Sequence, residues 1–402
     1  MKIFHPSKTV KLDVPLVSSK SESNRALIIQ ASAKENIELG NISKARDTQT
    51  MMRLLASNDE TLDVLDAGTT MRFLTAYVTA NNRKTIMTGT ARMQERPIGI
   101  LVDALRSLGA DVEYLKNDGY PPHKINGFTQ KTDTVSIRGD VSSQYISALL
   151  LVGPTLPQGI KLVLEGTVAS KPYIMMTLSL MERFGVKYTW EDNTITVAPQ
   201  EYKAGNYTIE SDWSGASYWY SIAALSEEAD IKIMHLREDS LQGDKAIVEI
   251  MEQLGVKSTF EADGVRLTKT EKAEKFFFDF THCPDLAQTI VSLVAALGME
   301  GRMIGLQSLR IKETDRIAAL QNEIKKLGLE IEVIGDEEII VPAGGISIDG
   351  QTIHTYEDHR MAMAFAPLSI LGELNIDEPE VVAKSYPSYW EDLTAAGFKI
   401  ED

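Results

Sequence analysis

The sequence contains almost no cysteine: Cys283 is the only one among 402 residues. A single thiol excludes a disulfide framework within the chain and a cluster of thiolate metal ligands. This usage is typical of a reducing compartment, so we expect a cytoplasmic protein. We also expect no metal, because no group of residues has the spacing of metal ligands.

Long apolar runs are missing as well. No stretch approaches the roughly 18 apolar residues that a membrane-spanning helix needs. The first residues, MKIFHPSKTVKLDV, contain neither the apolar core of a secretory signal nor the Ser- and Arg-rich composition of a transit peptide. We therefore expect a soluble, unprocessed protein that has no membrane partner.

Positive charge is scarce. The chain has 41 Lys and Arg residues against 57 Asp and Glu residues, which gives a net charge of −16. Duplex nucleic acid requires a broad basic face, so nucleic acid is not an expected partner. Any anion site must then be a local exception.

A chain of 402 residues is also too long for one ordinary core, which predicts two domains.

A helix-glycine-strand pattern recurs along the chain. Residues with helical apolar spacing lead to a glycine, and strand-like residues follow it, at Gly109, Gly185, Gly255, Gly328 and Gly397. These glycines lie 69 to 76 residues apart, and a sixth copy near Ala56 lacks the glycine. Glycine fits a helix end because it readily adopts positive φ. Six units of about 70 residues predict two pseudo-symmetric domains, although chance recurrence of a common α/β pattern is the alternative.

Charge is concentrated at LRIKETDR, residues 309–316. Thr314 is the expected N-cap of a helix that ends at Gly328. Lys312, Glu313 and Arg316 would then lie near a helix N-terminus, where the dipole and the free N–H groups favour an anion. This predicts a phosphate or carboxylate site; ordinary ion pairs in a solvated first turn are the alternative.

Cations are also expected at other helix starts. In KSESNR, Lys20 and Arg25 accompany a helix that Ser21 or Ser23 could cap. In DAGTTMR, Gly68 belongs to a tight turn before a helix. In RMQERPI, Arg96 precedes Pro97, which suits the first helical position. Each of these could equally be a plain cap or connection.

Polar groups precede several further helices. Hydroxyl and amide groups that could bind phosphate oxygens occur at Ser142, Ser143, Gln144 and Ser170, where N-capping is an equal explanation. Asp285 lies before an apolar helix, where a carboxylate is more often a cap. Arg360, next to His359, and Lys384 complete the charged series.

Together these motifs resemble a known family. In the order KSESNR, DAGTTMR, RMQERPI, GDVSSQ, SKPY, CPD, IKETDR, EDHRMAM and AKSYP, they are similar to those of the EPSP synthase family, from Lys20 to Lys384. The resemblance implies an α/β fold of the inside-out α/β barrel type, with two pseudo-symmetric lobes of three βαβαββ units each. It implies one lobe of residues 19–210, and another of residues 1–18 with 211–402.

The resemblance also implies a reaction. The enolpyruvyl group of phosphoenolpyruvate would pass to the 5-hydroxyl of shikimate 3-phosphate, with release of phosphate, in the shikimate pathway of aromatic amino-acid biosynthesis. No cofactor or metal would take part, and a monomer is expected. Shikimate 3-phosphate would contact Lys20, Ser21, Arg25, Ser142, Ser143, Gln144, Ser170, Asp285 and Lys312. Phosphoenolpyruvate, and the longer inhibitor glyphosate, would contact Lys20, Gly68, Arg96, Gln144, Arg316, Arg360 and Lys384.

Catalytic roles follow from the same resemblance. Asp285 would be the base for the 5-hydroxyl, and Glu313 with Lys20 or Lys384 would handle the methylene proton; the choice of lysine stays open. Seven cations against two carboxylates would give a local charge of five positive units. The two ligands together carry about −5 to −6, which this charge nearly neutralises.

Three positions depart from the family pattern, and two rival functions remain. Asp66 and Phe73 replace the usual Asn and Pro on either side of Gly68, and Ser308 replaces a frequent Asn. The transferase acting on UDP-N-acetylglucosamine typically has a cysteine where this chain reads ARMQERP. A catalytically inactive binding protein is the other rival, but all the proposed catalytic residues are present.

Overall fold

The computed structural model describes residues 1–401, which form two compact α/β units. The split unit consists of Met1–Ser18 and Glu210–Asp402, and the continuous unit is Ser19–Ile209. Among the described residues, no helix combines the length and the apolar character needed to cross a bilayer.

The secondary structure alternates regularly between strands and helices. The strands are β1 Lys2–Phe4, β2 Thr9–Val14, β3 Ile37–Gly40, β4 Thr61–Asp63, β5 Thr85–Thr88, β6 Ala110–Tyr114, β7 His123–Phe128, β8 Thr134–Arg138, β9 Ile160–Glu165, β10 Thr189–Glu191, β11 Thr194–Val197, β12 Gly205–Thr208, β13 Glu228–Met234, β14 Val256–Glu261, β15 Gly264–Lys269, β16 Lys275–Asp279, β17 Glu300–Ile304, β18 Glu332–Ile334, β19 Glu338–Val341, β20 Thr352–Ile353, β21 Leu374–Ile376 and β22 Lys399–Glu401. The α-helices are α1 Lys20–Ser32, α2 Arg46–Ala56, α3 Gly68–Ala80, α4 Gly99–Leu108, α5 Ser143–Val152, α6 Lys171–Arg183, α7 Trp213–Leu225, α8 Ile247–Gln253, α9 Ala287–Ala296, α10 Arg316–Lys326, α11 His359–Phe365 and α12 Tyr389–Ala395.

The continuous unit contains two complete βαβαββ modules. One has the sheet order β4-β5-β7-β6 and the other β10-β11-β9-β8; in each, the first two strands run parallel and a hairpin adds antiparallel strands. The third sheet contains only β3 and β12, which are parallel. The expected sixth copy is therefore incomplete, because α2 leads directly into the first strand of the next module.

The split unit contains three modules, each with a four-stranded sheet. Their orders are β14-β15-β13-β2, β16-β17-β19-β18 and β20-β21-β1-β22. The continuous unit interrupts the first module between β2 and α7, and β1 completes the last module by pairing antiparallel with β21 and β22. Both chain ends therefore contribute to one sheet.

The five repeated glycines end helices with left-handed backbone. Their φ angles are 117° at Gly109, 83° at Gly185, 84° at Gly255, 89° at Gly328 and 99° at Gly397. At Gly109 an added Cβ would lie 2.1 Å from the Thr129 carbonyl oxygen, so space as well as φ requires glycine. The predicted helix-glycine-strand pattern is confirmed.

Helices form the interior of the split unit. Every residue of α11 is buried, and so is every residue of α7 except Ser214. The strands instead alternate between buried and exposed residues, as β13 does. Together with the sheet topology, this arrangement confirms the predicted α/β class with helices inside.

Candidate active site

The helix start in the KETDR segment differs from the expected one by one residue. Helix α10 begins at Arg316, and its N-cap is Asp315, whose carboxylate accepts from the Ala318 N–H at 3.1 Å. The expectation of Thr314 as cap is wrong, because the chain enters the helix one residue later. Arg316 is therefore the first helical residue, and Lys312 and Glu313 precede the helix.

Arg316 is bound by three carboxylates. Its side chain is only 1% exposed, and it donates to Asp358 Oδ2 at 2.7 Å and to Glu313 Oε2 at 2.8 Å. Its Nη1 also donates to Asp285 Oδ1 at 3.2 Å. Burial opposes its charge, but these acids raise the pKa of Arg316 above its ordinary value. Arg316 is thus a permanent cation that holds the acids in place.

Asp285 is contacted by three cations from different elements. Its carboxylate accepts from Arg360 Nη2 at 3.0 Å and Arg316 Nη1 at 3.2 Å, and Lys312 Nζ lies 3.3 Å away. Burial would raise the pKa of Asp285, but Arg360, Lys312 and Arg316 hold it far below its usual range. Helix α9 has no side-chain cap, so the alternative of Asp285 as a cap is wrong.

Arg360 lies deep in the split unit, where α11 positions it. It is 7% exposed, and beyond Asp285 its guanidinium donates to Ser214 Oγ at 3.3 Å and approaches Tyr218 Oη at 3.5 Å. The N-cap of α11 is Asp358, whose carboxylate accepts from the Arg360 N–H. The same carboxylate accepts from Arg316 Nε, so Asp358 connects the start of α11 to Arg316. Lys384 ends a 3-10 helix, Pro379–Lys384, and is 1% exposed.

The continuous unit holds a second set of cations. Helix α1 is capped by Ser19, whose Oγ accepts from the Glu22 N–H at 3.3 Å, so the expected caps Ser21 and Ser23 are wrong. Lys20 is the first residue of the helix, and its Nζ donates to Asp47 Oδ2 at 3.2 Å. Asp47 on α2 is thus a partner that the motifs did not reveal.

Arg25 connects three helices of this unit. It is 2% exposed and donates to Thr177 Oγ1 at 2.7 Å and to Ser147 Oγ at 3.2 Å. It also donates to the Ser21 carbonyl at 2.8 Å, and its guanidinium carbon lies 5.4 Å from the Phe73 ring centroid. Burial lowers the pKa of Arg25 to about 10, which still leaves it charged at neutral pH. Phe73 therefore packs beneath this cation without interrupting α3.

Gly68 is the first residue of α3 and lies between two guanidinium groups. A Cβ at this position would lie 2.7 Å from Arg96 Nη1 and 2.8 Å from Arg72 Nη1. Gln144 on α5 reaches the same helix start, because its Nε2 donates to Thr69 Oγ1 at 3.1 Å. The structure therefore brings Gly68, Arg96 and Gln144 together, and adds Arg72.

The loop after Arg96 does not begin a helix as expected. Helix α4 starts at Gly99 with Ile98 as its N-cap, so Pro97 lies before the helix and the expected first helical position is wrong. The Pro97 carbonyl instead accepts from Arg72 Nη2 at 2.9 Å and from Tyr145 Oη at 2.7 Å. This carbonyl anchors the residue that follows Arg96.

The serine residues differ in their local roles. Ser142 is the N-cap of α5 and accepts from the Gln144 N–H at 3.4 Å, so the capping alternative is correct there. Ser143 begins that helix and is 7% exposed. Ser170 precedes α6 with a left-handed φ of 51° and makes no side-chain cap. Strained residues of this kind cluster at functional sites.

The three departures lie in different surroundings. Asp66 forms a half-exposed ion pair with Arg46 at 2.9 Å. Ser308 belongs to the 3-10 helix Gln307–Ile311.

The sequence motifs did not identify three residues of the candidate site, which are Asp47, Arg72 and Asp358. For Asp358 a signal was visible, because a carboxylate directly before the HRMAM helix is a typical cap.

Comparisons with known proteins support one family. Residues 52–393 match the model of the family described as EPSP synthase (3-phosphoshikimate 1-carboxyvinyltransferase). A Bacteroides fragilis protein named 3-phosphoshikimate 1-carboxyvinyltransferase is 50% identical over 398 residues, covering 98% of this chain and 97% of that protein. A Vibrio atlanticus protein with the same name is 35% identical over 420 residues, covering 97% of this chain and 98% of its own.

A solved structure has the same fold. The EPSP synthase of Acinetobacter baumannii aligns with a TM-score of 0.79 at 22% identity, covering 100% of this chain and 99% of that one. At this identity the likeness is evidence for the fold alone.

Proposed function

From the premise that this chain belongs to the EPSP synthase family, we propose that its two sets of cations bind one pair of anionic substrates. The protein is a 3-phosphoshikimate 1-carboxyvinyltransferase of the shikimate pathway. It transfers the carboxyvinyl group of phosphoenolpyruvate to the 5-hydroxyl of shikimate 3-phosphate and releases phosphate. Relatives with this name cover almost the whole chain, which argues against the UDP-N-acetylglucosamine transferase and the inactive binding protein.

The proposed binding roles divide each ligand's contacts between the two sets. Shikimate 3-phosphate is held by hydroxyl groups and by two cations, and phosphoenolpyruvate by guanidinium and ammonium groups around Gly68. The first group comprises Ser21, Arg25, Ser142, Ser143, Ser170, Asp285 and Lys312, and the second comprises Gly68, Arg96, Arg316, Arg360 and Lys384. Lys20 and Gln144 contact both ligands.

The net positive charge of the proposed site is smaller than the sequence predicted. Asp47 pairs with Lys20, and Asp358 pairs with Arg316, so two further carboxylates belong to the proposed site. Eight cations, with Arg72 included, against four acids leave four positive units instead of five. Two ligands carrying about −5 to −6 would therefore be only partly neutralised by these residues. This partial neutralisation would favour departure of the phosphate product.

The proposed base gains strength from its ligands. With three cations beside it, Asp285 is a weak base in the ligand-free protein, because its pKa is held low. Anionic substrates would neutralise Arg360, Lys312 and Arg316, and so raise the pKa of Asp285 when the 5-hydroxyl is present. Proton abstraction is thereby coupled to substrate binding.

The reaction then proceeds by addition and elimination. Asp285 takes the 5-hydroxyl proton while the oxygen adds to C2 of phosphoenolpyruvate, and the methylene carbon receives a proton. The tetrahedral intermediate then loses phosphate by C–O cleavage and a proton from its methyl group, whose C–H electron pair restores the double bond. Glu313, which accepts from Arg316, exchanges this proton together with Lys20 or Lys384.

One observation carries the proposal: Asp285 is a non-capping carboxylate surrounded by three cations. Asp285→Asn keeps the size of the side chain but removes the base, so turnover should fall by about 10² or more while shikimate 3-phosphate still binds. Steady-state kinetics and a binding titration measure the two effects. Asp315→Asn is the matched control, since Asn caps α10 as well as Asp does and should keep turnover. Equal turnover in both variants would contradict the role of Asp285.

The remaining expectations concern the whole protein. We propose that the split and continuous units are the two functional lobes, and that the protein acts as a monomer in the cytoplasm. The single cysteine is buried and unpaired, which suits a reducing compartment. Sedimentation at assay concentration tests the monomer; a mass of twice the 44.5 kDa chain would contradict it.

A further inference from the structure

Helix α7 presents one hydroxyl group at the edge of the buried interior. Ser214 is the only residue of α7 that is not buried. Its Oγ donates to Asp244 Oδ2 and accepts from Arg360 Nη2 at 3.3 Å. Asp244 lies in the 3-10 helix Gly243–Ala246 and is 2% exposed. Three separate elements of the split unit therefore join in one hydrogen-bonded chain.

The direction of both hydrogen bonds is fixed by chemistry. A carboxylate only accepts, so the single proton of the Ser214 hydroxyl points to Asp244. A guanidinium only donates, so the Ser214 lone pairs must face Arg360. The carboxylate at one end and the guanidinium at the other make both bonds charge-assisted. Asp244 thus keeps Ser214 as an acceptor.

Local capping does not account for Asp244. Neither its own 3-10 helix nor the following α8 has a side-chain cap. Burial of a carboxylate costs free energy that an apolar residue would avoid. Capping of these two helices therefore does not explain the buried carboxylate of Asp244.

We propose that Asp244 is a positioning residue for Arg360, acting through Ser214. The contacts of the guanidinium include Ser214 Oγ at 3.3 Å, Asp285 Oδ2 at 3.0 Å, the Asp285 carbonyl at 3.3 Å and Tyr218 Oη at 3.5 Å. Burial raises the pKa of Tyr218 to about 12, so this hydroxyl stays neutral. Arg360 Nη2 donates to both Ser214 and Asp285. Ser214 therefore holds the guanidinium in place while Asp285 gains and loses the substrate proton. The inference rests on the proposed role of Arg360 in binding phosphoenolpyruvate.

The test is Asp244→Asn, with kinetics for both substrates. The Asn side chain can donate as well as accept, so Ser214 is no longer forced to offer its lone pairs to Arg360. We expect the KM for phosphoenolpyruvate to rise about tenfold, and the KM for shikimate 3-phosphate to stay within about twofold. A purely structural role would lower kcat through loss of folded enzyme and leave both KM values unchanged.

A double variant shows whether the effect passes through Ser214. Ser214→Ala should raise the KM for phosphoenolpyruvate, and adding Asp244→Asn should change it no further, because the connection is already broken. Additive effects, or an unchanged KM in the Asp244→Asn enzyme, would overturn the inference. If Asp244→Asn does not fold, an unchanged KM in the half-buried Ser214→Ala variant overturns it.

Two further measurements separate the possible failures. Ser217→Ala is the matched control on α7, because the Ser217 hydroxyl donates to the Ser214 carbonyl at 2.6 Å and lies 3.3 Å from Thr289 Oγ1. It should leave both KM values unchanged. If the unmodified protein does not convert both substrates, or if Arg360→Lys leaves the KM for phosphoenolpyruvate unchanged, the proposed function fails. Suppose that the parent converts both substrates and that Arg360→Lys raises the KM for phosphoenolpyruvate. An unchanged KM in Asp244→Asn then rejects the positioning role of Asp244 and leaves the proposed function standing.

Discussion

At the scale of single residues, Gly68 shows how close packing can fix a residue type. The resemblance placed this glycine against the phosphoenolpyruvate site, where a Cβ would occupy ligand space. The structure adds that the Cβ would lie within 3 Å of Arg96 and Arg72 nitrogens. Substitution must therefore move a guanidinium as well as narrow the space beside it.

Gly68→Ala should raise both the KM for phosphoenolpyruvate and the inhibition constant for glyphosate. The KM for phosphoenolpyruvate should rise because Arg96 moves. The inhibition constant for glyphosate should rise more, because glyphosate is the longer molecule. Steady-state kinetics with both ligands measure the two constants. Gly127→Ala is a control in the same unit, since its Cβ would make only an ordinary contact at 3.5 Å. Equal changes in both constants would mean that Gly68 does not line the ligand site.

His123 makes the stability depend on pH. It is fully buried, and its Nε2 lies 3.1 Å from Thr75 Oγ1. Burial, assisted by Arg106, lowers the pKa of His123 from 6.5 to about 4. The unfolded chain therefore binds this proton below about pH 6.5 and the folded protein does not, so stability falls as the pH drops from 6.5 towards 4.

Denaturant unfolding at two pH values measures this effect. Between pH 7 and pH 5 the parent should lose roughly 2 kcal/mol of unfolding free energy through His123. The Gln side chain of His123→Gln does not titrate, so this variant should lose roughly 2 kcal/mol less unfolding free energy than the parent over the same pH range. If the parent and the variant lose the same free energy, His123 titrates normally in the folded state.

At the scale of elements, the sequence predicted types of structure better than boundaries. Glycines at helix ends were visible because only the backbone decides their conformation. The caps Ser19 and Asp315 were missed by one to four positions. Several Ser, Thr and Asp residues compete at each helix start, and packing elsewhere selects among them. The missing hairpin after α2 had no local signal apart from the absent glycine.

The turn before α11 stores backbone strain close to Arg360. Tyr356 and Glu357 both have φ of 55°, which disfavours any residue with a Cβ. The Tyr356 hydroxyl donates to Glu323 Oε1 at 2.6 Å, and Glu323 is completely buried. This bond ties the turn to α10, the helix that begins at Arg316.

Relief of this strain should stabilise the protein. Glu357 is exposed, so Glu357→Gly loses no packing and should be up to about 1 kcal/mol more stable than Glu357→Ala. Thermal or denaturant unfolding of the two variants gives the comparison. A more stable Ala variant would show that the turn does not keep its left-handed backbone.

At the scale of the whole molecule, the chain leaves the split unit after Ser18 and returns at Glu210. Glu210 is buried and accepts from the Trp213 indole at 2.8 Å and from Ser240 Oγ at 2.6 Å, which anchors the returning segment. The pairing of β1 with β21 and β22 spans almost the full sequence. No local pattern predicts such a contact, because the paired residues are separated by almost the whole chain.

The two charged sets differ in balance, which local sequence could not show. In the continuous unit, the cations Lys20, Arg25, Arg72 and Arg96 are accompanied by Asp47. In the split unit, the four proposed cations are accompanied by three acids, Asp285, Glu313 and Asp358. Asp47 and Asp358 were hard to predict, because a carboxylate beside a helix start resembles a cap whether or not it binds a cation.

The most direct test of the central claim is phosphate release by the unmodified protein. We expect release only when phosphoenolpyruvate and shikimate 3-phosphate are both present, with one carboxyvinyl product formed per phosphate. UDP-N-acetylglucosamine should not replace shikimate 3-phosphate. Absence of release with both substrates, or equal release with the nucleotide sugar, would contradict the carboxyvinyl transfer to shikimate 3-phosphate.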